Sequence, residues 1–223
     1  MAHKMSAEIC PTILASRPDQ YKLAMQRLWF APRLHIDLTD GRFAPIQTIT
    51  ADQTWWPANV RVDLHVMYAN PAALANQCIS LGPQLVIIHS EAGGDFVPLS
   101  EQLHHHGIEV GVALLPATPV DDILGAIDYI DHVLIFSGNL GHYGGTADLN
   151  LLAKVNQLRQ IKPQLEIGWD GGANENNVMA LVNGGVDVIN IGSAISQAED
   201  PYQAYAKLER IIGVHHDPTD TVN

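Results

Sequence analysis

RLHIDLTDG, residues 33–41, begins as a strand and ends on a polar turn. Side chains two apart on a strand share a face, so His35, Asp37 and Thr39 project together. VDLHVM at 62–67 repeats the pattern with Asp63, His65 and Met67, and EIGWDGG at 166–172 carries Asp170 at its tip. Working outward, short apolar segments suited to buried strands fall at about 8–14, 33–38, 60–66, 84–89, 108–114, 131–136, 164–169 and 186–191. Helical spacing fills the gaps at 18–28, 70–81, 97–106, 120–127, 148–161, 174–183 and 201–212. Asn70-Pro71, Thr118-Pro119 and Asp200-Pro201 open helices, and Gly82, Gly107 and Gly184-Gly185 close them. Segment 39–59 is irregular, with a short helical stretch near 50–56. Eight strands alternating with helices predict an α/β fold, a single (β/α)8 TIM barrel over 7–213. A doubly wound open sheet is the competitor, and unusual polar residues at several strand ends favour the barrel. Residues 1–6 and 214–223 lack periodicity and read as flexible termini.

Composition narrows the function. Twelve Lys and Arg against 24 acids give a net charge of −12, which argues against nucleic acid or an anionic membrane as partner. The apolar runs are too short to span a bilayer, and no leader pattern opens the chain. Cys10 and Cys78 cannot make a disulfide framework and read as reduced, cytoplasmic thiols packed as small apolar groups. The triplet His104-His105-His106 ends a helix and reads as surface. Trp55 and Trp56 read as packing for a short helix, and Ser137 lacks a nucleophile context.

If the inner faces of three strands meet at one barrel mouth, His35, Asp37, His65 and Asp170 converge. Two imidazoles and two carboxylates suit a divalent metal, Zn²⁺ first and Fe²⁺ or Mn²⁺ next, at zero formal site charge. A lone strand-end Asp usually caps a helix and a lone His is usually structural; four together at strand ends point to a site. Gly144-Gly145, Gly171-Gly172 and Gly192-Ser193 follow the last three strands, where main-chain N–H groups can bind an anion. No Lys or Arg lies in these segments, and any one glycine pair alone would be read as a tight turn.

In order, CPTILAS (10–16), LHIDLTDGRFAP (34–45), DLHVM (63–67), LPATP (115–119), SGNLGHYGG (137–145), WDGG (169–172) and IGSAI (191–195) resemble the ribulose-phosphate 3-epimerase family. The resemblance implies a ribulose-phosphate-binding barrel that inverts C3 of a ketopentose 5-phosphate with a divalent metal. His35, Asp37, His65 and Asp170 would hold the metal. Asp37 and Asp170 would be the acid/base pair, one on each substrate face, with the metal stabilising the enediolate. Gly144, Gly145, Gly171, Gly172, Gly192 and Ser193 would bind phosphate, Thr12 would stand for a substrate-contacting Ser, and His65 and Met67 would border the sugar. The family implies a homo-oligomer, a dimer or larger. Against its pattern, Thr39 and Phe136 replace Met, Ile46 replaces a polar residue, and NLGHYGGT (139–146) is one residue longer than the usual loop. That altered lining admits a ketohexose 6-phosphate such as allulose 6-phosphate, or a non-catalytic sugar-phosphate-binding protein. A decarboxylase or synthase on this barrel would need a Lys near strand 2 or 3, and 34–67 holds none.

Overall fold

The computed structural model describes residues 7–214, in which eight parallel strands close into a barrel in chain order. They are β1 (Glu8–Ile13), β2 (Arg33–Thr39), β3 (Arg61–Met67) and β4 (Leu85–His89). β5 (Glu109–Leu114), β6 (His132–Phe136), β7 (Glu166–Asp170) and β8 (Val188–Ile191) complete the ring. β8 pairs with β1 from Glu8↔Val188 to Pro11↔Ile191, so the sheet has no open edge. The expected (β/α)8 architecture is the one observed, and this pairing excludes the open sheet. Of the ends expected to be flexible, 1–6 and 214–223, all but Val214 lie outside the described residues; Val214 donates to the Glu209 carbonyl.

The helices are α1 (Pro18–Leu28), α2 (Ala75–Leu81), α3 (Phe96–His105), α4 (Leu152–Ile161), α5 (Val178–Asn183), α6 (Ser193–Ser196) and α7 (Pro201–Ile212). α7 starts where the Asp200 side chain accepts from Gln203 N and ends at left-handed Gly213. Several helices are shorter than their spacing predicts. Residues 71–74 and 149–151 are 3-10 turns leading into α2 and α4, and Val120–Tyr129 is 3-10 throughout. Helix 174–183 begins only at Val178, because Asn174 and Asn177 turn their amides onto the Gly172 carbonyl. The irregular 39–59 segment contains one 3-10 turn, Ala51–Gln53. Trp56 packs against the core, while Trp55 stays 45% exposed and meets Tyr21 edge-on. Cys10 and Cys78 are buried and free, as expected.

Strand alternation sorts the barrel into two environments. Leu34, Ile36 and Leu38 of β2, Val133 and Ile135 of β6, and Ile167 and Trp169 of β7 belong to the apolar layer shared with the helices. The inward positions differ around the ring. Leu85, Ile87, Ala113 and Leu134 make a small dry cluster on the β4–β6 side. On the other side the interior is ionic. Arg33, 2% exposed, places Nε 2.8 Å from Asp63 Oδ2 and binds Glu166 through two bonds of 2.9 Å. Glu8 lies 3.3 Å from the same guanidinium, and His132 Nδ1 lies 2.7 Å from Glu166 Oε2. Five strands are thereby joined at the N-terminal end of the barrel.

Breaking this cluster leaves uncompensated buried charge. Arg33→Met is expected to lower the unfolding free energy by about 3–5 kcal/mol, read from urea melts. Burial opposes ionisation of Glu166, but Arg33 and His132 outweigh it and hold the carboxyl well below its usual 4.5. A depressed folded-state pKa contributes stability that is present above the unfolded value. The wild-type midpoint should therefore fall as pH drops below about 4.5, and Glu166→Gln should flatten that dependence.

Candidate active site

The inward rows of β2, β3 and β7 end at the C-terminal mouth of the barrel, and there the four expected side chains meet. His35, Asp37, His65 and Asp170 each offer one ligand atom, all within 4.8 Å of one another. Asp37 Oδ1 lies 3.0 Å from His65 Nδ1 and 3.3 Å from His35 Nε2. Asp170 Oδ2 lies 3.8 Å from His65 Nδ1 and 3.9 Å from His35 Nε2. Both imidazoles are fully buried.

Such a cluster demands positive charge. Burial opposes an ionised Asp37, yet its close approach to His35 and His65 and their charge hold its pKa low. Burial and the Asp37 charge push Asp170 up, with the two histidines opposing. For His35, burial is outweighed by the two carboxylates, and its pKa is raised. Even so, neither His35 nitrogen has an aligned hydrogen-bond partner. An orphaned, buried Nε2 of His35 facing both carboxylates fits a divalent cation, which would take the place of protons among these donors.

Sequence reasoning missed the groups behind His65. His65 Nε2 and His89 Nε2 are 2.9 Å apart, and His89 Nδ1 lies 3.3 Å from Glu91 Oε2. Burial, opposed by Glu91 and reinforced by His65, pushes His89 down to about 4. A neutral His89 that donates to Glu91 accepts from His65 Nε2–H, which leaves His65 Nδ1 free to serve as the ligand atom should a cation take the place of the proton shared with Asp37. Glu91 is itself anchored by Leu115 N at 3.0 Å and by the Thr118 hydroxyl. His89-Ser90-Glu91 at a strand end was the available signal, of the same kind as His35 and His65.

Above the cluster opens a cleft that Thr12, Asp37, Met67, Phe136, Asp170 and Asn190 border. Its rim holds Gly144, Gly145, Gly171, Gly172, Gly192 and Ser193, so the structure gathers all the glycine-loop positions around one opening. No Lys or Arg lines it among the described residues. Gly171 and Gly172 are left-handed (φ 110° and 71°), and a Cβ on either would overlap backbone of residues 137–147. Tyr143, in the lengthened loop, packs its ring where a Cβ on Gly192 would lie 2.6 Å away. Its hydroxyl accepts from Leu14 N at 2.7 Å and donates to Thr12 O at 3.3 Å. Of the three apolar-collar positions, Met67 and Phe136 border the cleft. Thr39 does not: its hydroxyl is spent on Ile46 O and Thr48 N. His104 pairs with Asp131 on the outside, as a surface residue should.

Fold and site define a (β/α)8 barrel of the enzyme type, with its chemistry-bearing side chains gathered at the C-terminal mouth. The chain belongs to the ribulose-phosphate 3 epimerase family, whose model matches residues 8–196, and hence to the isomerases acting on carbohydrates. Ribulose-phosphate 3-epimerase of Mycobacterium tuberculosis is 30% identical over 214 residues, covering 92% of this chain and 93% of that protein. The enzyme of that name from Schizosaccharomyces pombe is 28% identical over 216 residues, covering 93% and 95%. Among solved structures, 3-hexulose-6-phosphate synthase from Salmonella typhimurium superposes with TM-score 0.68 at 12% identity, covering 94% of this chain and 100% of that one. At that identity the likeness is one of fold.

The crowding at Gly172 yields a direct check. Gly172→Ala should displace segment 137–147, lower stability by about 1–3 kcal/mol and open that segment to limited proteolysis. Gly145→Ala, whose Cβ would meet nothing within 4 Å, should leave the cleavage pattern unchanged despite its own backbone strain.

Proposed function

We propose that this protein is a metal-dependent 3-epimerase of a ketopentose phosphate, interconverting D-ribulose 5-phosphate and D-xylulose 5-phosphate. The observation that carries the reading is the placement of Asp37 and Asp170. They come from β2 and β7, with β8 and β1 between, and both reach the floor of one cleft. Inverting a carbon α to a ketone requires a proton acceptor on one face and a proton donor on the other. His35, Asp37, His65 and Asp170 would hold a divalent cation, Zn²⁺ by donor preference. When bound, it supplies Lewis-acid stabilisation of negative charge on the substrate oxygens. Neutral His89, backed by Glu91, keeps the His65 ring in register.

The glycine rim would take the phosphate on main-chain N–H groups, since no cationic side chain is at hand. Met67 and Phe136 would exclude water from the reacting carbon. The same reading has the protein working in the cytoplasm, as the Oryza sativa relative named a cytoplasmic isoform does, and as a homo-oligomer. Among the described residues no helix is long and apolar enough to cross a membrane.

In D₂O the zinc-loaded protein should place deuterium at C3 of D-ribulose 5-phosphate, followed by NMR. Asp170→Asn should slow conversion to D-xylulose 5-phosphate by about 10²- to 10⁴-fold, and chelation should abolish exchange and conversion reversibly. Absence of exchange with any ketose phosphate would favour a binding protein and overturn the reading. Faster exchange with allulose 6-phosphate would move the substrate to the ketohexose phosphates.

A further inference from the structure

One inward side chain at the mouth has no role in the chemistry above. Asn190 on β8 is 2% exposed and borders the cleft, yet neither its amide oxygen nor its amide nitrogen has a hydrogen-bond partner. Burying an amide without a partner costs stability, and folded proteins avoid it unless a ligand or a function compensates. Its surroundings do not help it. The register sets Asn190 beside Asp170 on β7 and beside Cys10 on β1, a buried thiol that burial keeps protonated. The neighbouring Thr12 hydroxyl, also buried at the cleft wall, is likewise unpaired.

The place of Asn190 along the cleft limits what can satisfy it. Asp170, alongside, marks the level of the reacting carbon. Gly192, two residues further along β8, belongs to the glycine rim and lies about 7 Å beyond at the usual strand rise. Between a C3 held at Asp170 and a phosphate held at the rim, the only polar group of a ketopentose 5-phosphate is the C4 hydroxyl. A hydroxyl both donates and accepts, which matches the two orphaned atoms of an amide. C4 also keeps its configuration while C3 inverts, so a contact there can hold substrate and product alike.

We propose that Asn190 is a specificity residue that binds the C4 hydroxyl of the ketose phosphate, with the Thr12 hydroxyl completing the polar wall. The proposal rests on the 3-epimerase reading. It explains why an unsatisfied amide is kept in the barrel interior: the cost borne by the free protein is recovered when the sugar enters.

The test is a cycle between residue and substrate group. C3 exchange in D₂O is measured for D-ribulose 5-phosphate and its 4-deoxy analogue, with zinc-loaded wild type and Asn190→Leu, alongside thermal melts. Wild type should prefer the natural sugar by about 10- to 100-fold in kcat/KM. Asn190→Leu should lose most of that preference while its melting temperature stays level or rises, because an unpaired polar group has been removed. A role in packing alone predicts the reverse, a lower melting temperature with the preference intact, and that result overturns the proposal. Should Asn190→Leu fold poorly, the wild-type comparison still decides, since equal rates on both sugars exclude a C4 contact. Equal rates overturn this proposal alone; no exchange with either sugar overturns the epimerase reading and this proposal with it.

Discussion

The buried guanidinium of Arg33 is the interaction on which the barrel stands. Closing eight strands into a ring turns one side chain in two inward, away from bulk water, and in this chain many of those side chains are charged. Around Arg33 the carboxylates of Asp63, Glu166 and Glu8 gather in one cluster, Arg61 also binds Glu8, and His132 shares Glu166. Taking such groups out of water is costly, and bidentate geometry with shared partners offsets that cost. The cluster occupies one end of the barrel. The same inward rows of β2, β3 and β7 carry His35, Asp37, His65 and Asp170 at the other.

The two ends solve the same electrostatic problem differently. At the Arg33 end the protein supplies its own cation. At the mouth it supplies donors that could hold a divalent cation, and that division separates scaffold from candidate site. The cleft above follows the same logic, since it has glycine turns and no Lys or Arg. In a protein of net charge −12, an anionic ligand is not attracted by the global field. Under the proposed reading, local main-chain dipoles and the cation would have to hold it, which suits a small, buried anion better than an extended polyanion.

Much of this was legible in the residues. Alternation in RLHIDLTDG and VDLHVM put His35 with Asp37 and Asp63 with His65, and each strand lies within a residue or two of its apolar segment. The glycine pairs announced loops at one end of the barrel. Thr39 was misleading in isolation, because strand spacing aims it at the site and only the fold of the 40–47 loop diverts its hydroxyl to Ile46 and Thr48. His89 went unnoticed at the end of an apolar run, since nothing in that run tells that His65 ends 2.9 Å away. Helix lengths were overestimated where Asn174 and Asn177 compete for backbone groups.

Alternation and spacing are local properties: they predicted the (β/α)8 order, with an open sheet as competitor, and put His35, Asp37, His65 and Asp170 on strand rows that meet if the barrel closes. Which inward residues are partnered is not local. Asp63 and His65 share a face of β3, but Asp63 is paired with Arg33 at one end while His65 turns to Asp37 at the other. Strand stagger and barrel closure decide that, because they bring residues far apart in the chain to the same depth. For the same reason only the tertiary structure could show that Asn190 stands unpaired between Asp170 and the glycine rim. A hydrogen bond's absence depends on every neighbour at once.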